Sequence, residues 1–79
     1  MGEDKTYTVN AEWDDDAKVW ATNGDDIPGL FVEAGTFDEL VEIALDLAPD
    51  LLRGNAGLAA GTQIAITLVG ERRMTLVLP

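Results

Sequence analysis

The chain has 79 residues, with 15 Asp and Glu against five Lys and Arg, giving a formal charge of −10. It holds no Cys, His or Ser, which excludes a disulfide framework, thiolate–zinc sites and the usual nucleophile–base pairs of hydrolases. One domain of this length buries only about 60% of the surface that its unfolded chain exposes, so a partner or self-association is expected to add stability.

The charge is unevenly spread. Residues 1–50 carry 14 acids against Lys5 and Lys18, a balance of −12, and residues 51–79 carry Glu71 against Arg53, Arg72 and Arg73, a balance of +2. Such a field repels phosphates and attracts basic surfaces. Direct nucleic-acid binding by this chain alone is therefore not expected, and a basic protein partner is favoured over plain solubilisation only when further features support it. No apolar run approaches the roughly 18 residues of a membrane span. Met1 to Lys5 lacks the basic-then-apolar pattern of a signal peptide. The expected location is the cytoplasm, with no membrane contact.

In chain order, Tyr7, Val9, Ala11 and Trp13 alternate with Thr8, Asn10 and Glu12, and period two predicts a half-buried first strand. Asp14-Asp15-Asp16 predicts a turn, because Asp favours tight turns and is poor in strands. Lys18–Thr22 then completes a hairpin, which Asn23-Gly24 ends. Phe31-Val32-Glu33 reads as a short third strand. Thr36 and Glu39 form a capping box at the start of a helix. Phe37, Leu40, Val41, Ala44, Leu47, Ala48, Leu51 and Leu52 recur at three and four residues, an apolar stripe laid on the sheet. Pro49 cannot continue the hydrogen-bond ladder, so the helix is expected to kink or stop near Ala48, with one further turn as an option. A Gly- and Ala-rich loop covers residues 53–61. Ile64, Ile66 and Leu68 alternate in a fourth strand, and Met74, Leu76 and Leu78 suggest a fifth. The sequence leaves open whether residues 70–73 form a tight turn or continue one long strand. The fold class is α+β, with β-β-β-α-β order and the extra strand as an option, and one domain spans residues 1–79.

The acidic turn Trp13-Asp14-Asp15-Asp16-Ala17-Lys18-Val19-Trp20 is followed by Asp26-Ile27-Pro28-Gly29-Leu30-Phe31-Val32-Glu33-Ala34-Gly35-Thr36. Strand, acidic turn, strand, Pro-Gly loop, strand and Thr-capped helix in this order resemble the HicB-like antitoxin family, in particular a small group left as a domain of unknown function. The resemblance covers about residues 6–70. It implies an incomplete RNase-H-like fold and a non-catalytic protein that binds a small basic RNA-cleaving toxin. Many members carry a DNA-binding segment after this domain. None is expected here, which puts autonomous operator binding in doubt.

Two features bear on chemistry. Asp14, Asp15 and Asp16 suggest a metal site, but an EF-hand loop starting at Asp14 needs Gly at its sixth position and usually Glu at its twelfth, where this chain has Val19 and Asp25. The inward positions of the first strand are not acidic, so a two-metal nuclease site is not expected either. No enzyme activity, metal or cofactor is expected.

The helix places Asp38, Glu42, Asp46 and Asp50 at four-residue intervals. Like charges at that spacing cost a few tenths of a kcal/mol per pair. The helix dipole explains Asp38 and Glu39 but opposes Asp46 and Asp50. Trp20 falls out of phase with Val19 and Ala21, so either it faces outward and marks a contact surface or it belongs to the core. The expected partner-binding surface is Asp25, Asp26, Asp38, Glu42, Asp46 and Asp50, with Trp20 in the outward alternative. The alternative function is a stand-alone homo-oligomeric scaffold or small-ligand module without a toxin, served by Trp20 and the apolar run Met74 to Leu78. Self-association is expected under either reading.

Overall fold

A computed structural model of the chain describes residues 5–55 and 57–79; the expectation about a leader at Met1 to Asp4 lies outside them. Strand β1 spans Lys5–Asp14, β2 Val19–Asp25, β3 Glu33–Ala34 and β4 Ile64–Glu71, and helix α1 spans Phe37–Asn55. The sheet order is β3-β2-β1-β4. β1 pairs antiparallel with β2, β2 pairs antiparallel with β3, and β4 lies parallel to β1 with Val9 opposite Leu68. A parallel neighbour needs a crossover, and α1 supplies it. The α+β class and the element order agree with the alternation and periodicity of the sequence.

The β1–β2 hairpin closes as expected at the acidic turn. Asp14 Oδ1 accepts from the N–H groups of Asp16 and Ala17 at 3.0 and 3.1 Å, and its carbonyl accepts from the Lys18 N–H at 2.8 Å. This turn chemistry is the reason for Asp at its first position. Strand β2 does not end at Asn23-Gly24. It runs to Asp25, because a bulge between Asn10 and Ala11 absorbs one extra residue. The third strand is shorter and later than Phe31 to Glu33. It is Glu33–Ala34, and Val32 is tied in ahead of it by its carbonyl and N–H to the backbone and hydroxyl of Thr22.

Of the two capping-box bonds, the one present is Thr36 Oγ1 accepting from the Glu39 N–H at 3.1 Å. The helix does not stop near Ala48. It continues through Pro49 to Asn55, because Leu40, Ala44, Ala48 and Leu52 form one buried row that Pro49 does not interrupt. Tertiary burial of Leu52 on the far side of Pro49 outweighs the lost backbone bond. Val9, Leu40, Ala44 and Leu52 sit at the centre of the core, which Ile27, Leu30 and Val32 extend beneath the β2–β3 loop.

That loop is held at both ends. Ile27-Pro28-Gly29-Leu30 is a turn closed by the Leu30 N–H on the Ile27 carbonyl at 3.2 Å, with Gly29 at φ +83°. The Gly29 backbone lies against the helix, where an added Cβ would stand 3.3 Å from Leu51 and 3.2 Å from Asn55. The Asn55 side-chain amide donates to the Pro28 carbonyl at 3.2 Å.

The ambiguity at residues 70–73 resolves towards continuity: Gly70 and Glu71 belong to β4. The fifth strand at Met74 to Leu78 does not form. Residues 72–79 have no strand partner among the described residues, because β1 has already turned away at Asp14. The molecule measures 58 × 23 × 17 Å and has a radius of gyration of 15.0 Å. A compact domain of this length would have about 12 Å. No helix among the described residues is long and apolar enough to cross a membrane.

Candidate functional site

The outer surface of α1 is strongly acidic. Its buried row sets the helix rotation, and the opposite side carries Glu39, Glu42, Asp46 and Asp50, all exposed. Asp38 is exposed too, but on the flank of the helix rather than on this side. At 3.6 residues per turn, the first four fall in one narrow strip. The one basic residue within α1, Arg53, is bonded to Asp50. Ile43 and Leu47 border the strip and keep 38% and 41% of their surface, so the acids have an apolar margin.

The structure separates the remaining expected contact residues from this strip. Asp25 Oδ1 accepts from the Ile27 N–H at 2.9 Å, and Asp26 Oδ2 accepts from the Thr8 N–H at 3.0 Å while the Asp26 N–H donates to the Thr8 carbonyl. Both carboxylates therefore fix the start of the Pro-Gly loop. Trp20 is not an outward contact residue. Its ring stands edge-on to Phe37 at 5.2 Å and to Trp13 at 5.8 Å, on the helix side of the sheet. The physical reason lies in the register: Trp13 pairs with Trp20 and Ala11 with Thr22, so Trp20 shares the side of the buried Ala11.

Gly70 makes room for this aromatic group. A Cβ there would come within 2.6 Å of Phe37 and 3.1 Å of Trp20. The Arg72 guanidinium then caps the group, 4.5 Å over the Trp13 ring. Asp15 joins it from the turn, accepting from Trp13 Nε1 and Lys18 Nζ, both at 3.2 Å. The Trp13 hydrogen bond first, and then the Lys18 ammonium, lower the Asp15 carboxyl pKa.

Two exposed apolar features lie outside the expected contact residues. Phe31 is 84% exposed. Its neighbours Leu30 and Val32 are both buried, and that alternation was the available signal. Met74, Leu76, Val77 and Leu78 are between 75% and 89% exposed, although the run itself was visible. Among the described residues, no group of three or more His, Cys, Asp or Glu could hold a metal ion. A largely apolar groove of about 340 Å³ lies between α1 and the start of β4, lined by Pro49, Leu52, Arg53, Leu58 and Ile64 among others.

No curated protein matches the chain. Among solved structures it is similar to the hypothetical protein TTHA1013 from the extremely thermophilic bacterium Thermus thermophilus. The two are 34% identical with a TM-score of 0.63, over 94% of this chain and 100% of that one. The family model described as a domain of unknown function, DUF1902, matches residues 6–78, from β1 through the segment beyond β4, and the chain belongs to that family.

Proposed function

We propose that this protein is a non-catalytic, antitoxin-type binding domain that docks a small basic RNA-cleaving toxin on the outer surface of α1. The observation that carries the reading is the strip of Glu39, Glu42, Asp46 and Asp50, exposed together with one paired cation among them. Acids repeated at four-residue spacing repel one another along α1, and Arg53 is the one cation of the helix to offset them, so a helix selected for stability alone would mix signs on this face. A cationic partner converts that local penalty into faster, oriented association. The sequence resemblance to HicB-like antitoxins supports the same choice, and the apolar margin of Ile43 and Leu47 supplies area that charge alone lacks.

The variant Glu42→Gln/Asp46→Asn/Asp50→Asn tests the surface. It is expected to fold as well as the parent, with stability equal or a few tenths of a kcal/mol higher. Its association with the partner is expected to be slower, most of all at low salt. The partner is identified by purifying the tagged chain from its host and sequencing what accompanies it. A small basic protein that arrests growth when expressed alone, and is neutralised by this chain, supports the proposal. Recovery of the chain with no such protein, or an association rate indifferent to the triple substitution, overturns it.

A further inference from the structure

The two edges of the sheet are treated differently. β3 is two residues long and follows a proline turn, the short and interrupted kind of edge that resists pairing. β4 is eight residues long, Ile-Ala-Ile-Thr-Leu-Val-Gly-Glu, with no Lys, no Pro and no charge before Glu71. Its outer side has no strand beside it among the described residues. Ile64, Ile66 and Leu68 point to the helix side, yet α1 leaves each only half-buried. The segment 72–79 continues from the end of β4, and its first side chain, Arg72, is held over Trp13 on that same side. Continued alternation carries Met74, Leu76 and Leu78 to the helix side as well.

We infer that the segment 72–79 is an arm that pairs with β4 of a second copy of this chain, each copy giving an arm and receiving one. The chain is self-complementary in the sense that a two-fold interface requires. Antiparallel pairing about an axis at Glu71 sets Ile64 opposite Leu78, Ile66 opposite Leu76 and Leu68 opposite Met74. A slip of two residues in either direction leaves one of these side chains unmatched, and a slip of one turns the arm's apolar side away from the helices. In this register Leu78 of the second copy reaches the groove beside Pro49, Leu52 and Ile64. On the open side of the sheet, Glu71 meets its counterpart with Arg73 two residues along each chain, so the charges at the axis cancel.

The area is sufficient. Three apolar side chains of roughly 100 Å² each and an equal area of the strand they cover give about 1,200 Å² over two arms, within the range of stable protein–protein interfaces. Sheet extension of this kind takes its strength from main-chain bonds and its register from alternate side chains. It does not depend on a toxin partner.

Sedimentation of the 79-residue chain is expected to give twice its 8.5 kDa mass. Leu76→Asp alters a side chain that is 79% exposed within one chain, so it is expected to keep the native circular dichroism and sediment as a monomer. Because the chain has no cysteine, Thr67→Cys/Thr75→Cys reports the register. The two positions face each other between copies but stand about 26 Å apart along one extended chain, so mild oxidation is expected to give covalent dimers. Neither single variant should do so. A monomeric parent chain, a dimer insensitive to Leu76→Asp, or a double-cysteine variant that does not cross-link would each overturn the inference.

Discussion

At Gly70 an absent side chain determines the packing of three aromatic rings. Phe37 and Trp20 occupy the space a Cβ would fill, and Trp13 and Arg72 complete the stack. Gly70→Ala is expected to lower stability by about 1–3 kcal/mol through overpacking, measured as a shift in the urea midpoint at unchanged slope. In the sequence this glycine left a tight turn and a continuous strand both open. Its role depends on Phe37, far earlier in the chain, so no local pattern could reveal it. Asp15 offers a second test. Its carboxyl pKa is lowered by the Trp13 hydrogen bond and then by Lys18. A lowered folded-state value means stability that is present above the unfolded carboxylate range and is lost as pH falls through the folded value. The parent chain should therefore exceed Asp15→Asn in stability near neutral pH, and the difference should vanish in acid. A difference that persists in acid would assign the effect to the turn rather than to the charge.

Among the elements, α1 shows most clearly how local and tertiary terms compete. Thr36, the four-residue spacing of Leu40, Ala44 and Ala48, and the acids of the first turn were all legible, since each acts within a few residues. The end of the helix was not. Pro49 argues for a stop by removing one backbone bond, whereas burial of Leu52 argues for continuation, and the latter requires knowledge of what lies beneath. Pro49→Ala restores the missing N–H in an exposed position. It is expected to stabilise the domain by up to about 3 kcal/mol, read from thermal unfolding. A neutral result would mean that the helix is already adjusted around the proline. The strands show a similar division. Period two identified β1 and β4, but the bulge that carries β2 past Asn23-Gly24 depends on its partner strand. Of the expected contact residues, Glu42, Asp46 and Asp50 lie together because one helix face gathers them. Asp25 and Asp26 are spent on backbone N–H groups that only the folded loop brings near.

For the whole molecule, the unequal distribution of charge and apolar surface organises the reading. The acidic outer side of α1 and the apolar arm beyond β4 lie on different parts of the fold, so one surface can meet a cationic partner while the other meets a second copy. A domain this small gains much from either contact, because its own core is limited to a few side chains such as Val9, Leu40 and Leu52. The membership in a family of unknown function extends over the arm as well as the folded part, residues 6–78, which makes the arm part of the unit to be explained. By itself the sequence determined the element types, the inward face of β1, the helix cap and stripe, and the acidic balance, because these follow from periodicity, turn chemistry and charge acting over short distances. The tertiary structure alone decided that Trp20 faces the helix, that α1 passes Pro49, that β4 lies parallel to β1 at an open edge, and that residues 72–79 find no strand partner among the described residues. Those outcomes depend on strand register and on which surfaces meet, and contacts between residues far apart in the chain set both.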